Sequence, residues 1–489
     1  MNIRRFVSMI CPVFFFLSAS SLAFGQENTT GKAGLPADQD RLGLWDSPED
    51  FMKLSYETPA SPSRLILRTS EQGTTSEYGV FYFSDDKLLS SFIDAAIYAN
   101  PAIGESEHRW RAALQRVPQA TTLPDPEFAI SQFIHKPETR VGPQDTLLSI
   151  SQKFPWFGKL DARGEMALRD ALAAAEQYQA QIREIVAAVK RAYYDLAYLD
   201  EAIRITRQDR ELLEHFEEIA ETRYATGKGI QQAVVKIQAE ITRDDDRLYL
   251  LTQQRESIAA NLNSLMDRSP HEPIPSLVKL SVVPVDTDLE QLYAKGRVNR
   301  HELKAAQYIV EKSDQAIRLA KKEFLPDFTI GFNYIFVDDR KDALGKLEPP
   351  EDNGRDAYGI ALGFNIPLWE GKLMSGVREA REIKSASERS YDGIENAIEF
   401  SIRDAVLRAE TTFDQLALYE SVLIPQAEQS LDSTEAAYAT GQLNALDLID
   451  SERFLLNVRL AHAKLKTDYM KSLADIERAI GTAFPTERM

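Results

Sequence analysis

From Leu160 to Arg223 the chain runs for 64 residues with no proline and one glycine, Gly164. Within it Tyr178, Ile182, Ile185, Val189, Ala192, Leu196, Leu199 and Ile203 recur at spacings of four and three, a heptad seam. The spacing predicts one helix over 160–223, a rod of roughly 95 Å. No compact domain needs that length, and the charges along the rod keep it out of lipid, so it projects into water. A second such stretch runs over 373–440, with Ile394, Ile398, Ile402, Val406, Phe413 and Leu416 on one side. Pro425 is expected to kink or interrupt it. Gly227 and Gly441 stand where helix-ending glycines stand, and a shorter helix runs back after each.

The rods are two because the chain is written twice. SISQKFPWFGKLDARGEMA (149–167) and ALGFNIPLWEGKLMSGVREA (361–380) make the same passage from alternating residues to helix. Pro155 and Pro367 end a strand, since proline cannot donate to the ladder. Gly158 and Gly371 are expected to permit the turn into the helix. Trp156, Phe157 and Trp369 sit at the passage, where an aromatic girdle lies at a membrane–water interface. Pro124-Asp125 recurs as Pro326-Asp327, and Tyr224-Ala-Thr-Gly227 as Tyr438-Ala-Thr-Gly441. The copies span 88–267 and 288–482, with a connector at 268–287 that holds four prolines. An irregular extension covers 26–87, and 483–489 form a tail.

Period-two alternation predicts strands near 126–134, 145–154, 327–337 and 357–366. Half-buried strands of a soluble sandwich alternate too. Here, however, the polar face is made of Gly, Ala, Asn, Ser and Thr, which suits a wet lumen, and nine to eleven tilted residues span a bilayer. The loops at 135–144 and 337–357 are polar, as on one side of an outer-membrane barrel. Four strands cannot close a barrel, because the smallest have about eight. Each chain would supply a sector, and three chains would supply twelve strands.

Composition narrows the remainder. Arg4, Arg5 and the apolar run from Phe6 to Leu17, followed by Ala23-Phe24-Gly25, form a signal peptide over 1–25. It contains the only cysteine, Cys11, outside any lipoprotein cleavage pattern, so no lipid anchor is expected and the mature chain has no disulfide. Cleavage takes the net charge from −18 to −20, which argues against nucleic acid as a partner. The histidines at 108, 135, 215, 271, 301 and 462 show no ligand spacing, and no catalytic motif is present. No enzyme activity, cofactor or metal site is expected.

Taken together, the duplication, the Asn100-Pro101 start, the two strand-to-helix motifs, the Tyr-x-x-Gly turns and Leu446-Asp447-Leu448-Ile449-Asp450 resemble the TolC-type outer-membrane efflux proteins. The resemblance covers about 88–482 and implies a mixed α/β membrane protein. A homotrimer completes a 12-stranded β-barrel in outer-membrane lipid, and an α-helical barrel continues it into the periplasm of a Gram-negative bacterium. It implies a passive exit duct that docks to a periplasmic adaptor and an inner-membrane pump of the RND type. Asp447 and Asp450 match the family's constriction aspartates and Tyr438 its lock tyrosine, at the periplasmic gate. The lock's acidic and arginine positions hold Ala233 and Leu443. Asn444 and Asp447 also read as a helix cap and its partner, and both roles are compatible. Phe154-Pro155-Trp156-Phe157-Gly158-Lys159-Leu160 is most similar to the cobalt–zinc–cadmium efflux branch, which implies metal cations or small toxic compounds as cargo. A pore-free exported scaffold and a type I protein-secretion outlet stay open as alternatives.

Overall fold

The computed structural model describes residues 87–277 and 288–482, with 280, 282 and 284 between them. The expected signal peptide with Cys11, the extension up to residue 86, seven connector positions and the tail at 483–489 lie outside the described residues. Helix α1 (Lys87–Ala99) is followed by α2 (Pro101–Leu114) and the short α3 (Arg116–Thr121). Asn100 starts α2: its Oδ1 accepts from the Ala102 N–H at 2.9 Å, and Pro101 supplies a preset φ. Its Nδ2 donates to the Leu265 carbonyl at 2.8 Å, which fastens the start of the first copy to its end.

Strands β1 (Glu127–Gln132), β2 (Glu138–Thr139) and β3 (Gly142–Phe154) lead into α4 (Lys159–Ala225) and α5 (Gln231–Leu265). Then come α6 (Leu289–Asn299), α7 (His301–Lys322), β4 (Phe328–Val337), the short α8 (Ala343–Leu347) and β5 (Ala357–Phe364). Helix α9 (Glu370–Leu418), a π-helical turn (Tyr419–Leu423), α10 (Ile424–Thr440) and α11 (Ala445–Ile480) complete the chain. Helix α4, 67 residues long, reaches about 100 Å. Its seam residues from Ile182 to Ile203 are all buried, against α5, α7 and α11. The main core joins both copies, with Phe92, Val189 and Leu262 from the first packed with Ile402, Val406 and Leu473 from the second. No helix among the described residues is long and apolar enough to cross a membrane.

The principal sheet has the antiparallel order β1–β3–β4–β5, so β3 and β4 join the two hairpins in its middle. Strands β1 and β5 are its outer members and are exposed along their whole length. The strand expected from 145 begins at Gly142, because Glu138 and Thr139 pair with Pro143 and Gly142 and extend the ladder into the loop.

Pro425 interrupts the second long helix as expected, while the expectation for Gly371 needs correction. The helix over 373–440 is not one α-helix. It begins at Glu370, widens into the π-turn, and resumes at Ile424 immediately before Pro425. The Ile424 N–H donates to the Tyr419 carbonyl, a five-residue reach that eases the passage of the proline ring. Gly371 is not a turn residue either. It lies in the first turn of α9 with no positive φ, and a Cβ there would meet open space. The second motif has one more residue between proline and glycine than the first, so the chain bends earlier, through Leu368 N–H to the Ile366 carbonyl at 2.9 Å.

Candidate functional site: the helical tip and the strand-to-helix junctions

The far end of the rods is made by two turns of the same kind. Helix α4 stops at Ala225, and Gly227 takes φ +71° while the Lys228 and Gly229 amides donate to the Arg223 carbonyl. Helix α10 stops at Thr440, and Gly441 takes φ +84° while its amide donates to the Tyr438 carbonyl at 3.0 Å. Both left-handed positions need glycine.

Between the turns lies Tyr438, buried in a small core with Phe216, Ile237, Leu431 and Leu448. The Arg223 guanidinium covers its ring at 4.5 Å from the centroid. The same guanidinium donates through Nη1 to the Tyr438 carbonyl and through Nη2 to the Lys228 carbonyl at 3.4 Å. Burial pushes the Tyr438 phenol up, and the Arg223 charge opposes this. Ala233 is packed in this core as well.

Helix α11 opens with a complete capping box. Asn444 Oδ1 accepts from the Leu446 and Asp447 amides at 2.7 and 3.2 Å, and Asp447 Oδ2 accepts from the Asn444 amide at 3.4 Å. Asp450 lies exposed one turn on, 3.9 Å from Arg453. Arg453 donates through Nε to Glu240 Oε2 at 3.0 Å, and Arg243 donates to Glu240 Oε1 at 2.6 Å, so α5 and α11 are tied beside the tip. Burial works to raise the Glu240 carboxyl, but hydrogen bonds from the two arginines outweigh it and hold the group below its ordinary range.

The other end holds the junctions. In the first copy Trp156 packs on Phe328 at 5.2 Å and on Phe157 at 6.0 Å, and Gly158 takes φ +79°. Lys159 is almost wholly buried, its Nζ donating to Asp327 Oδ1 at 2.8 Å, the Leu325 carbonyl at 3.0 Å and Glu323 at 3.2 Å. Asp327 Oδ1 also accepts from the Trp156 amide at 3.0 Å, after Pro155 has ended β3. In the second copy Trp369 and Phe364 are exposed, and Ile366 and Leu368 with them, on either side of Pro367.

An apolar outer sheet running into paired long helices, repeated once, is matched by the model of a known family. The description "Outer membrane efflux protein" covers residues 92–267 and 292–482, both copies. The chain belongs to the outer membrane efflux protein family.

Among its relatives, the outer membrane protein TolC of Vibrio cholerae is 20% identical over 333 residues, 65% of this chain and 72% of that protein. The cobalt-zinc-cadmium resistance protein CzcC of Cupriavidus metallidurans is 21% identical over 369 residues, 74% of this chain and 82% of CzcC. The crystal structure of the outer membrane protein VceC of Vibrio cholerae has the same fold, with a TM-score of 0.67 at 21% identity, covering 81% of this chain and 97% of VceC.

In this efflux protein the structure thus brings Tyr438 and the two glycine turns together, and sets Asp447 and Asp450 one turn apart at the start of α11. It also adds Arg223, which sequence reasoning missed. The only signal was that the residue before Tyr224 is arginine, whereas its counterpart before Tyr438 is Ala437.

Proposed function

We propose that three copies of this efflux protein close a twelve-stranded barrel in the outer membrane, continued by a helical tube, as the passive exit duct of a tripartite system. The carrying observation is the outer face of the sheet. Phe128, Ile150, Phe332 and Ile360 stand in register across all four strands, and Ile130, Leu148, Tyr334 and Tyr358 form the next row. Most of these are exposed, Ile360 at 77% and Tyr358 at 73%. The opposite face carries Ala129, Ser149, Gly331, Asn333 and Ala361. Such an apolar surface is stable against lipid, and two long unpaired edges are stable only when paired.

The repeat indicates how the edges pair. Phe128 faces Ile150 in the first hairpin, and Ile330 faces Leu362 in the second. These pairs coincide when Pro124-Asp125 is laid on Pro326-Asp327 and Pro155 on Pro367. The central seam sets Gln152 against Ile330, Ser151 against Gly331 and Ile150 against Phe332. Its equivalent sets Phe364, Gly363 and Leu362 of one copy against Phe128, Ala129 and Ile130 of the next. Lys372 then meets the neighbour's Asp125 and Leu123 carbonyl, as Lys159 meets Asp327 and the Leu325 carbonyl.

An adaptor protein and an inner-membrane pump of the RND type complete the system, the chain being exported by residues 1–25. The tip is read as the gate, with Tyr438 and Arg223 holding it and Asp447 and Asp450 lining it. Trp156, Phe157 and Trp369 mark the membrane boundary. The cargo is metal cations or small toxic compounds, the first favoured by the similarity to CzcC.

Gly363→Cys with Ala129→Cys tests the assembly, since the mature chain has no other cysteine. Oxidation should give covalent trimers in detergent, while Gly363→Cys with Ser131→Cys should not. Purification as a water-soluble monomer would refute the reading. Discrete conductance in a planar bilayer, blocked by divalent cations from one side and relieved in Asp447→Asn/Asp450→Asn, tests the gate.

A further inference from the structure

Three acidic side chains from three helices meet in the packed interior above the tip. They are Asp209 on α4, Asp244 on α5 and Glu452 on α11, exposed by only 7%, 3% and 1%. They line a cavity of about 140 Å³. Asp209 Oδ2, Asp244 Oδ2 and Glu452 Oε1 are fully buried, and no N–H or hydroxyl donor reaches them.

The neighbouring charges do not balance the three. Arg247 on α5 reaches Asp244 Oδ1 at 3.2 Å. Arg243 on α5 and Arg453 on α11, the other cations lining the cavity, are held by Glu240, itself an acid on the same wall. On α4, Arg210 turns away to Asp245 at 2.7 Å and Glu214 at 2.8 Å. Three ionised carboxylates with one arginine, out of water, repel one another and lose hydration that nothing replaces. Yet Asp244 is in hydrogen-bond contact with Asp209, and Asp209 with Glu452. Two carboxyl groups hydrogen-bond only through a proton, and each bare oxygen then gains a donor or becomes one.

We propose that Asp209, Asp244 and Glu452 form a proton-binding site, in which protons shared between the carboxyls tie α4, α5 and α11 together and are released to solvent as pH rises. Asp244 donates to Asp209, and Asp209 donates to Glu452. Burial, and then Glu452, push Asp209 up to about 8, against the hydrogen bond from Asp244; burial, and then Asp209, push Asp244 up to about 7, and burial raises Glu452 as well. Their folded values lie above the ordinary carboxyl value of about 4. The native state therefore binds more protons than the unfolded chain between about pH 4 and 8. The stabilisation is complete below about pH 4, falls across that window, and is gone above about pH 8. Glu452 sits next to Arg453 and two residues from Asp450, so loosening here reaches the start of α11. This last consequence rests on reading the tip as the gate, whereas the protonation itself does not.

The test is the thermal midpoint of the purified full-length mature protein between pH 5 and pH 9, beside Asp209→Asn and Asp244→Asn. The wild type should lose midpoint temperature across this range. Asp209→Asn should match it at pH 5 and exceed it at pH 8.5, because an amide keeps its hydrogens. The protonated-carboxyl infrared band of the wild type should persist at pH 7 and weaken in the variant. Should Asp209→Asn not fold, Asp244→Asn and Glu452→Gln carry the same comparison. Parallel pH curves for wild type and variants would overturn the proposal. So would a rise of the wild-type midpoint at pH 8.5 on adding calcium or magnesium that the variants lack, since a divalent cation would then be the ligand. None of these readouts requires a channel, so they stand apart from any failure of the duct reading.

Discussion

The two junctions where strand becomes helix carry the same Gly-Lys-Leu, yet their lysines have opposite surroundings. Lys159 is 1% exposed and holds two carboxylates and a carbonyl of the other copy. Lys372 is exposed and has no ion pair among the described residues, and Asp125, the counterpart of Asp327, is exposed as well. A junction is therefore complete only where the next hairpin lies beside it. Within one chain this happens once.

Removing each lysine in turn separates the two surroundings. Lys159→Ala takes the buried cation from Asp327, which keeps Lys153 at 3.3 Å and the Trp156 amide at 3.0 Å, and should lower the stability of the chain by about 2–3 kcal/mol in a denaturant melt. Lys372→Ala should leave that melt nearly unchanged and, in the proposed three-copy assembly, lower the temperature of dissociation, with Lys372→Asp/Asp125→Lys restoring it. Next in size is Gly158→Ala. It places alanine at φ +79° with Lys322 Nζ 2.6 Å from the new Cβ, for a cost of about 1–2 kcal/mol. At the tip, Arg223→Ala removes the cation over Tyr438 and should cost about 1 kcal/mol, seen as a lower thermal midpoint. Arg223→Lys should recover only part of it, because the planar fork that meets two carbonyls is lost. The smallest effect has the opposite sign: Gly371→Ala, in an open helical position, should stabilise by about 0.5–1 kcal/mol.

The rods were legible because long stretches without proline and a heptad seam have few other readings; residues 182–203 are buried on the expected side. The strands were legible from alternation, although the start of β3 was hidden by Pro143 and Gly142, which look like loop residues until they pair with β2. Gly371 misled because a motif was matched by residue type while one inserted residue moved the bend. Arg223 was within reach of a comparison between copies. The carboxyl cluster was not: Asp244 opens the run Asp244-Asp245-Asp246, which reads as a solvated face, and only the crossing of three helices turns its first member inward.

The π-turn at Tyr419–Leu423 reconciles a difference in length between the two long helical arms of the chain. From Gly158 to Gly227 the first copy has one residue fewer than the second has from Gly371 to Gly441. An added residue in a continuous α-helix would rotate everything beyond it by about 100° and move Tyr438 off the face it shares with Arg223. A single wide turn takes up that residue and leaves α10 in its original rotation. The bulge thus absorbs the one-residue difference, and removing one residue between 419 and 423 should restore an unbroken helix with the tip in its present register.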